Sequence, residues 1–195
     1  MSCANDMAKS IISNCDTQPV AGVEIKAWIG QRRFITPTYD VTNPSLVTGL
    51  SVEVGQQLFT LTAVKQLLNP AYERIVAQNR ADTFKHKFSF EGFEFESADV
   101  ENLDSLDDLV VIVEMINKVA SVDGTFRIFG LTRGLYPTTD TWTANDIDGA
   151  RAITMESLDG QTEKYSQNNF LVSTGATAYA DTLAALVALE QVQTP

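Results

Sequence analysis

His86 is the one histidine of the chain. It lies in Thr83-Phe-Lys-His-Lys-Phe-Ser-Phe90, where strand alternation puts it on the same face as Phe84, Phe88 and Phe90. A lone imidazole can act as a general base or a metal ligand. Between phenylalanines, it reads instead as a partly buried strand residue with one hydrogen-bond partner. No cysteine lies near it in sequence, and no Gly-x-Ser-x-Gly elbow is present to hold a nucleophile. Mechanisms that need two histidines are excluded by count.

The second candidate is the acidic stretch Asp99, Glu101, Asp104, Asp107 and Asp108. Hard cations take oxygen ligands from a tight loop. Here Leu103, Leu106 and Leu109 interleave at threes, which predicts a helical turn with a solvated acidic face. Asn145-Asp-Ile-Asp-Gly149 looks closer to a calcium loop. With Gly149 on the invariant glycine of an EF-hand, the first ligand position falls on Ala144 and the bidentate acid position on Met155. A turn before the next strand is the better account. No Gly-x-x-x-x-Gly-Lys-Ser/Thr or Gly-x-Gly-x-x-Gly phosphate loop occurs. The sequence therefore assigns no catalytic, cofactor-binding or metal-ligating residue, and no cofactor.

Charge narrows the partners. Across 195 residues, 14 Lys and Arg stand against 25 Asp and Glu, a net charge of −11. That balance disfavours a phosphate-gripping surface and an anionic membrane. Both cysteines, Cys3 and Cys15, sit near the N-terminus. A Cys3–Cys15 bridge remains open, but two free thiols in a reducing cytosol are the simpler reading. Residues Met1 to Lys9 show no basic region followed by an apolar one, so no secretory leader is expected. The longest apolar run, Leu109 to Val113, is one strand long, and no membrane span is expected.

The elements that must carry these residues are mostly strands. Val23 to Ile29 alternates, with Val23, Ile25, Ala27 and Ile29 on one face and Glu24, Lys26 and Trp28 on the other. Residues 30–49, from Gly30 to Gly49, predict a long polar, proline-bearing excursion of the kind that carries contacts. Leu50 to Val54 and Leu58 to Thr62 predict a hairpin around Gly55. Asn69 and Pro70 resemble a helix start, and Tyr72, Ile75, Val76 and Asn79 share one helical side, predicting a helix near Pro70–Arg80. Thr83 to Ser97 is a strand whose face flips at Glu91-Gly92, from Phe84, His86, Phe88 and Phe90 to Phe93 and Phe95, through a bulge or a tight turn. Leu109 to Met115 predicts a buried strand, although pattern alone also permits a helix. Thr125 to Phe129, after the Asp123-Gly124 turn signal, and Arg151 to Ser157 are further strands. Asn5 to Ser13 predicts a short helix. Thr177 to Gln191 predicts a terminal helix in which Tyr179, Leu183, Leu186, Val187 and Glu190 fall at helical spacing, so that one apolar face docks. The sum is a mainly β (α+β) chain: an antiparallel β-sandwich or barrel-like single domain over 1–195, with flanking helices, an N-terminal arm and the extended loop about 30–49.

Five segments carry a resemblance. These are Met1-Ser-Cys-Ala-Asn5, Pro19-Val-Ala-Gly-Val-Glu24, Val110-Val-Ile-Val-Glu114, Phe129-Gly-Leu-Thr-Arg-Gly-Leu-Tyr136 and Ile153-Thr-Met-Glu-Ser-Leu-Asp-Gly160. In this order they are similar to virion structural proteins of tailed bacteriophages infecting Bacteroidota, in particular the major tail tube proteins of long-tailed phages. The likeness runs from about Cys3 to Thr174 and includes no catalytic signature. It implies a non-enzymatic β-sandwich protomer, homo-oligomeric in hexameric rings. The rings would stack into a hollow tube that conducts DNA as non-specific cargo and meets other tail proteins. The implied location is the virion, assembled in the host cytoplasm. It also implies acidic lumen strands, with Arg32, Arg33 and Lys65 in contacts between subunits. The alternatives are a tail completion, connector ring or capsid-associated protein, then a carbohydrate-binding module or an enzyme.

Overall fold

The computed structural model describes residues 22–62, 67–79, 81–92, 97–116, 124–143 and 150–190. The predicted helix at Asn5 to Ser13, both cysteines, Lys65, the Glu91-Gly92 flip beyond residue 92, Asp123 and the Asn145–Gly149 turn lie outside them. The strands are β1 (Val23–Gln31), β2 (Ile35–Tyr39), β3 (Leu46–Val52), β4 (Phe59–Thr62), β5 (Asn69–Ile75), β6 (Thr83–Gly92), β7 (Leu109–Met115), β8 (Phe126–Phe129), β9 (Tyr136–Trp142), β10 (Arg151–Glu156) and β11 (Asn168–Phe170). A 3-10 turn, Arg32–Phe34, follows β1, and the helices are α1 (Ser97–Asp104) and α2 (Ala178–Leu189). Mainly β structure is thus the outcome, with two helices flanking the sheets.

A seven-stranded sheet runs β2-β3-β11-β8-β7-β1-β4, and a four-stranded sheet runs β5-β6-β10-β9. Every neighbouring pair is antiparallel except β11 with β3. Between the sheets lie Val23, Ala27, Phe88, Phe90, Val111, Val113, Phe129, Leu135, Ile153 and Met155. A second apolar layer joins the other face of the seven-stranded sheet to α2, through Trp28, Val110, Ile112, Phe126, Ile128, Phe170 and Leu186. Each large side chain so enclosed contributes about 1.5–3 kcal/mol. Because both faces of the large sheet are covered, β7 is apolar along almost its whole length rather than alternating.

That double cover corrects the reading of β1. Trp28, expected on the polar side, is fully buried beneath α2, and its Nε1 donates to Glu190 Oε1 at 2.6 Å. Ile25, expected inward, is half exposed, because the pairing with β7 shifts between Val23 and Ala27.

The helix expected near Pro70–Arg80 is a correction too. Residues 69–75 form β5, paired with β6 from Asn69 opposite Ser89 to Ile75 opposite Thr83. Asn-Pro opens an edge strand as readily as a helix, since proline lacks an N–H that an edge does not need. Pairing with the aromatic β6 then outweighs weak helical periodicity: Tyr72 packs edge-on to Phe84 at 5.8 Å, and Arg74 lies over the same ring at 5.7 Å. The hairpin expected around Gly55 is also absent. Residues 53–58 instead carry the chain across the seven-stranded sheet, so that β3 pairs with β2 and β11 while β4 pairs with β1.

The 30–49 region is more regular than a loop. It completes β1, turns through Arg32–Phe34 and forms most of the β2–β3 hairpin. The tip is fixed by Asp40 Oδ1, which accepts from Thr42 N (2.9 Å), Asn43 N (2.7 Å) and Thr42 Oγ1 (2.7 Å).

Candidate functional site

His86 is more enclosed than a half-buried strand position would allow. Its side chain is fully buried, and it has two partners rather than one. Gly130 N donates to Nδ1 at 3.0 Å, so Nε2 carries the proton and donates to the Tyr165 carbonyl at 2.9 Å. Phe129 meets the ring edge-on at 5.3 Å. Burial pushes the imidazole pKa below its ordinary value, against the opposing pull of the Glu163 carboxylate and the main chain at Tyr165 and Ser166. The neighbouring Ser157 hydroxyl bonds the main chain, accepting from His86 N at 3.1 Å. Glu163 is itself buried, and its Oε1 accepts from Thr132 N (2.9 Å) and Arg133 N (2.7 Å), closing the turn after β8.

The acidic stretch divides by role. A helix forms here, but α1 ends at Asp104, so of the three leucines at helical spacing only Leu103 is helical. Leu106 lies beyond it, Leu109 opens β7, and Leu103 and Leu106 pack on the inter-sheet core. Asp104 reaches Arg151 Nη2 at 2.7 Å, and the same guanidinium is held bidentately by Asp140 at 2.6 and 2.5 Å. Asp108 sits at φ +48° and receives Arg32 Nε (2.7 Å), Arg32 Nη2 (2.9 Å) and the Tyr136 hydroxyl (3.1 Å). Hydrogen bonding to Asp108 pushes the Arg32 pKa further up, against the desolvation that would lower it. Arg32, expected between subunits, holds the Asp108 carboxylate of its own chain while its side chain stays 35% exposed. Arg33 stacks over Phe34 at 4.6 Å and donates to Gln31. Among the described residues, no group of three His, Cys, Asp or Glu side chains converges as a metal site would require. No helix of the described residues is long and apolar enough to cross a membrane.

The feature that sequence reasoning missed is the four-stranded sheet. Its core-facing side chains include His86, Phe88, Phe90, Ile153 and Met155. Alternation turns Glu73, Lys85, Lys87, Ser89, Thr154 and Glu156 to the other face, where none is buried. Across that face Lys85 pairs with Glu156 (2.9 Å) and Asp159 (3.2 Å), and Lys87 pairs with Glu156 (3.2 Å). Ser89 and Thr154 hydroxyls bond at 3.1 Å between them. Among the described residues no strand pairs with the outer side of β5 or of β9, so the sheet ends in two edges that run in opposite directions. Sequence carried one signal for this: Pro70 and Pro137 both fall in strands, which confines those strands to edges.

Comparison of the chain with protein-family models, with curated proteins and with solved structures yields no match in any of the three.

Proposed function

We propose that the chain is a self-assembling structural subunit of a virion, the repeating unit of a phage tail tube. In this reading its rings stack around a DNA-conducting channel. One observation carries the reading: among the described residues, the four-stranded sheet has no strand paired to the outer side of β5 or β9, and its polar face holds no buried side chain. Open edges are normally blunted, since they invite pairing. A head-to-tail contact between different edges of one subunit produces closed rings when the rotation closes. The outer face of the seven-stranded sheet cannot serve as a channel wall, because α2 packs on it.

The chemistry of the polar face suits a wall past which DNA slides. Its two lysines are neutralised by carboxylates of the same chain. Surface ion pairs of this kind stabilise little, about 0–1 kcal/mol, but they leave no ammonium free to displace counterions from phosphate. The net charge of −11 keeps the duplex repelled and mobile, with a range of about 8 Å at physiological salt. The projecting β2–β3 tip, where Val41 is 98% exposed, suits a contact with the next ring.

The test is a concentration series followed by mass photometry and negative-stain imaging. Rings and hollow tubes are the expected result. Single rings that never stack would indicate a connector or tail completion protein instead. A monomer at every concentration would overturn the structural reading.

A further inference from the structure

We propose that Arg127 anchors a binding site for a free phosphate ion at the margin between the two sheets. Its guanidinium holds two phosphate oxygens, and Asn169 and Tyr72 donate to the others. The site is independent of the ring-forming reading, because it lies on the core-facing side of the four-stranded sheet and not on the polar face.

Half-buried cations of the described residues carry carboxylates, with one exception. Lys26 has Glu190 at 2.6 Å, Arg32 has Asp108 at 2.7 Å, Lys85 has Glu156 at 2.9 Å and Arg151 has Asp104 at 2.7 Å. Arg127, on the central strand of the seven-stranded sheet, is half-buried as they are, and no carboxylate of the described residues pairs with it. Its partners are neutral oxygens at long range. Nε donates to the Gly124 carbonyl at 3.3 Å, and Nη1 donates to Gln167 Oε1 at 3.2 Å. Burial pushes the guanidinium pKa below its ordinary value, and the Tyr72 phenol opposes the fall. A charge drawn partly out of water costs free energy unless an opposite charge meets it. An oxyanion is the group that would offset this cost.

Strand register builds the rest of the site. Phe126 and Ile128 turn to the face under α2, so Arg127 turns to the other face, with Val113 opposite it on β7 and Asn169 opposite it on β11. Opposite side chains of an antiparallel pair have Cβ atoms about 4.5–5.5 Å apart, which sets the Asn169 amide beside the guanidinium. Gln167 turns Oε1 to Arg127 and Nε2 to Asn169 Oδ1 at 3.5 Å, which leaves Asn169 Nδ2 as a donor without a partner among the described residues. Tyr72 enters from β5, where its register opposite His86 puts it on the core-facing side, and it is 52% exposed. Its hydroxyl likewise has no hydrogen-bond partner among the described residues. Arg127 keeps Nη2 and the second N–H of Nη1, the pair that grips two oxygens of one anion. That fork would use up both oxygens of a carboxylate, whereas a phosphate has further oxygens for the amide and the phenol. The net charge of −11 works against any anion, so these direct bonds must supply the binding.

Phosphorus NMR line widths of inorganic phosphate, titrated with the full chain at constant ionic strength, test this. The expected result is saturable broadening by the parent. Apparent affinity should fall about ten-fold or more in Arg127→Gln, and several-fold in Asn169→Ala and in Tyr72→Phe. Arg127→Lys should bind more weakly than the parent, since it supplies the charge without the fork. Phosphate should raise the Tm of the parent and not that of Arg127→Gln, and in phosphate-free buffer Arg127→Gln should melt no lower than the parent. A guanidinium that served only to hold Gly124 and Gln167 would make the variant melt lower in both buffers, which would overturn the proposal. No broadening by the parent, or equal broadening by Arg127→Gln, would overturn it too. So would broadening that appears only with Asp123→Asn, the residue before Gly124, because a carboxylate of the chain would then already hold Arg127.

Discussion

The main-chain N–H of Gly130, at the end of β8, donates to Nδ1 of His86 in β6 across 3.0 Å, tying the two sheets together through a fully buried imidazole. The bond exists only while Nδ1 is unprotonated. Burial lowers the pKa of the folded imidazole below its ordinary 6.5, so the native state binds fewer protons than the unfolded chain. The stabilisation is fully present above about pH 6.5 and is lost as the pH falls from there towards the folded value. Urea midpoints should therefore drop between pH 7.5 and 5.5. His86→Gln should cost about 1–3 kcal/mol at pH 7.5 by leaving a buried donor or acceptor unmatched, and it should flatten that pH slope. An unchanged slope in the variant would place the titrating group elsewhere.

Gly134 has φ +76°, and a Cβ there would run into the Asp108 carboxylate that grips Arg32. Gly160 has a similar φ of +78° with open space around it. Gly134→Ala should then cost roughly 2 kcal/mol or more, against about 1 kcal/mol for Gly160→Ala, where only the backbone preference is lost. Thermal unfolding of the two variants compares them directly.

Leu186 is buried between α2 and the seven-stranded sheet, whereas Val187 next to it is 42% exposed. Leu186→Ala should destabilise by about 2–5 kcal/mol, and Val187→Ala by a small fraction of that. The sequence pattern placed both residues on the docked face, so the contrast checks the helix rotation seen here.

These cases show where the sequence was legible. β7 and α2 could be read because each buries a long apolar surface whose period leaves few choices. β5 was misread because an edge strand half open to solvent needs no strict alternation, and its Asn-Pro start is shared by helices. Trp28 was misplaced because nothing in β1 announces a helix covering its second face from more than a hundred residues downstream. The pairing of Arg32 with Asp108 and the placing of β5 and β9 at the two ends of the four-stranded sheet arise from strand order. Strand order depends on contacts distant in sequence, which local patterns do not encode.

If the β2–β3 hairpin contacts the next ring, hydrogen exchange should slow on assembly chiefly at residues 40–45. In the free chain the flanking strands share the β2–β3 ladder, whereas the Thr42, Asn43 and Ser45 amides rest on exposed side-chain acceptors. Exchange that is equal at the tip before and after assembly would remove the hairpin from the stacking contact.

Cryo-electron microscopy of the assembled particle tests the central claim most directly. The account predicts a closed ring whose channel is walled by β5, β6, β10 and β9, with Lys85, Lys87 and Glu156 facing inward and no net positive charge on the wall. A channel walled by other strands, an inward surface of net positive charge, or a particle with no channel would contradict it.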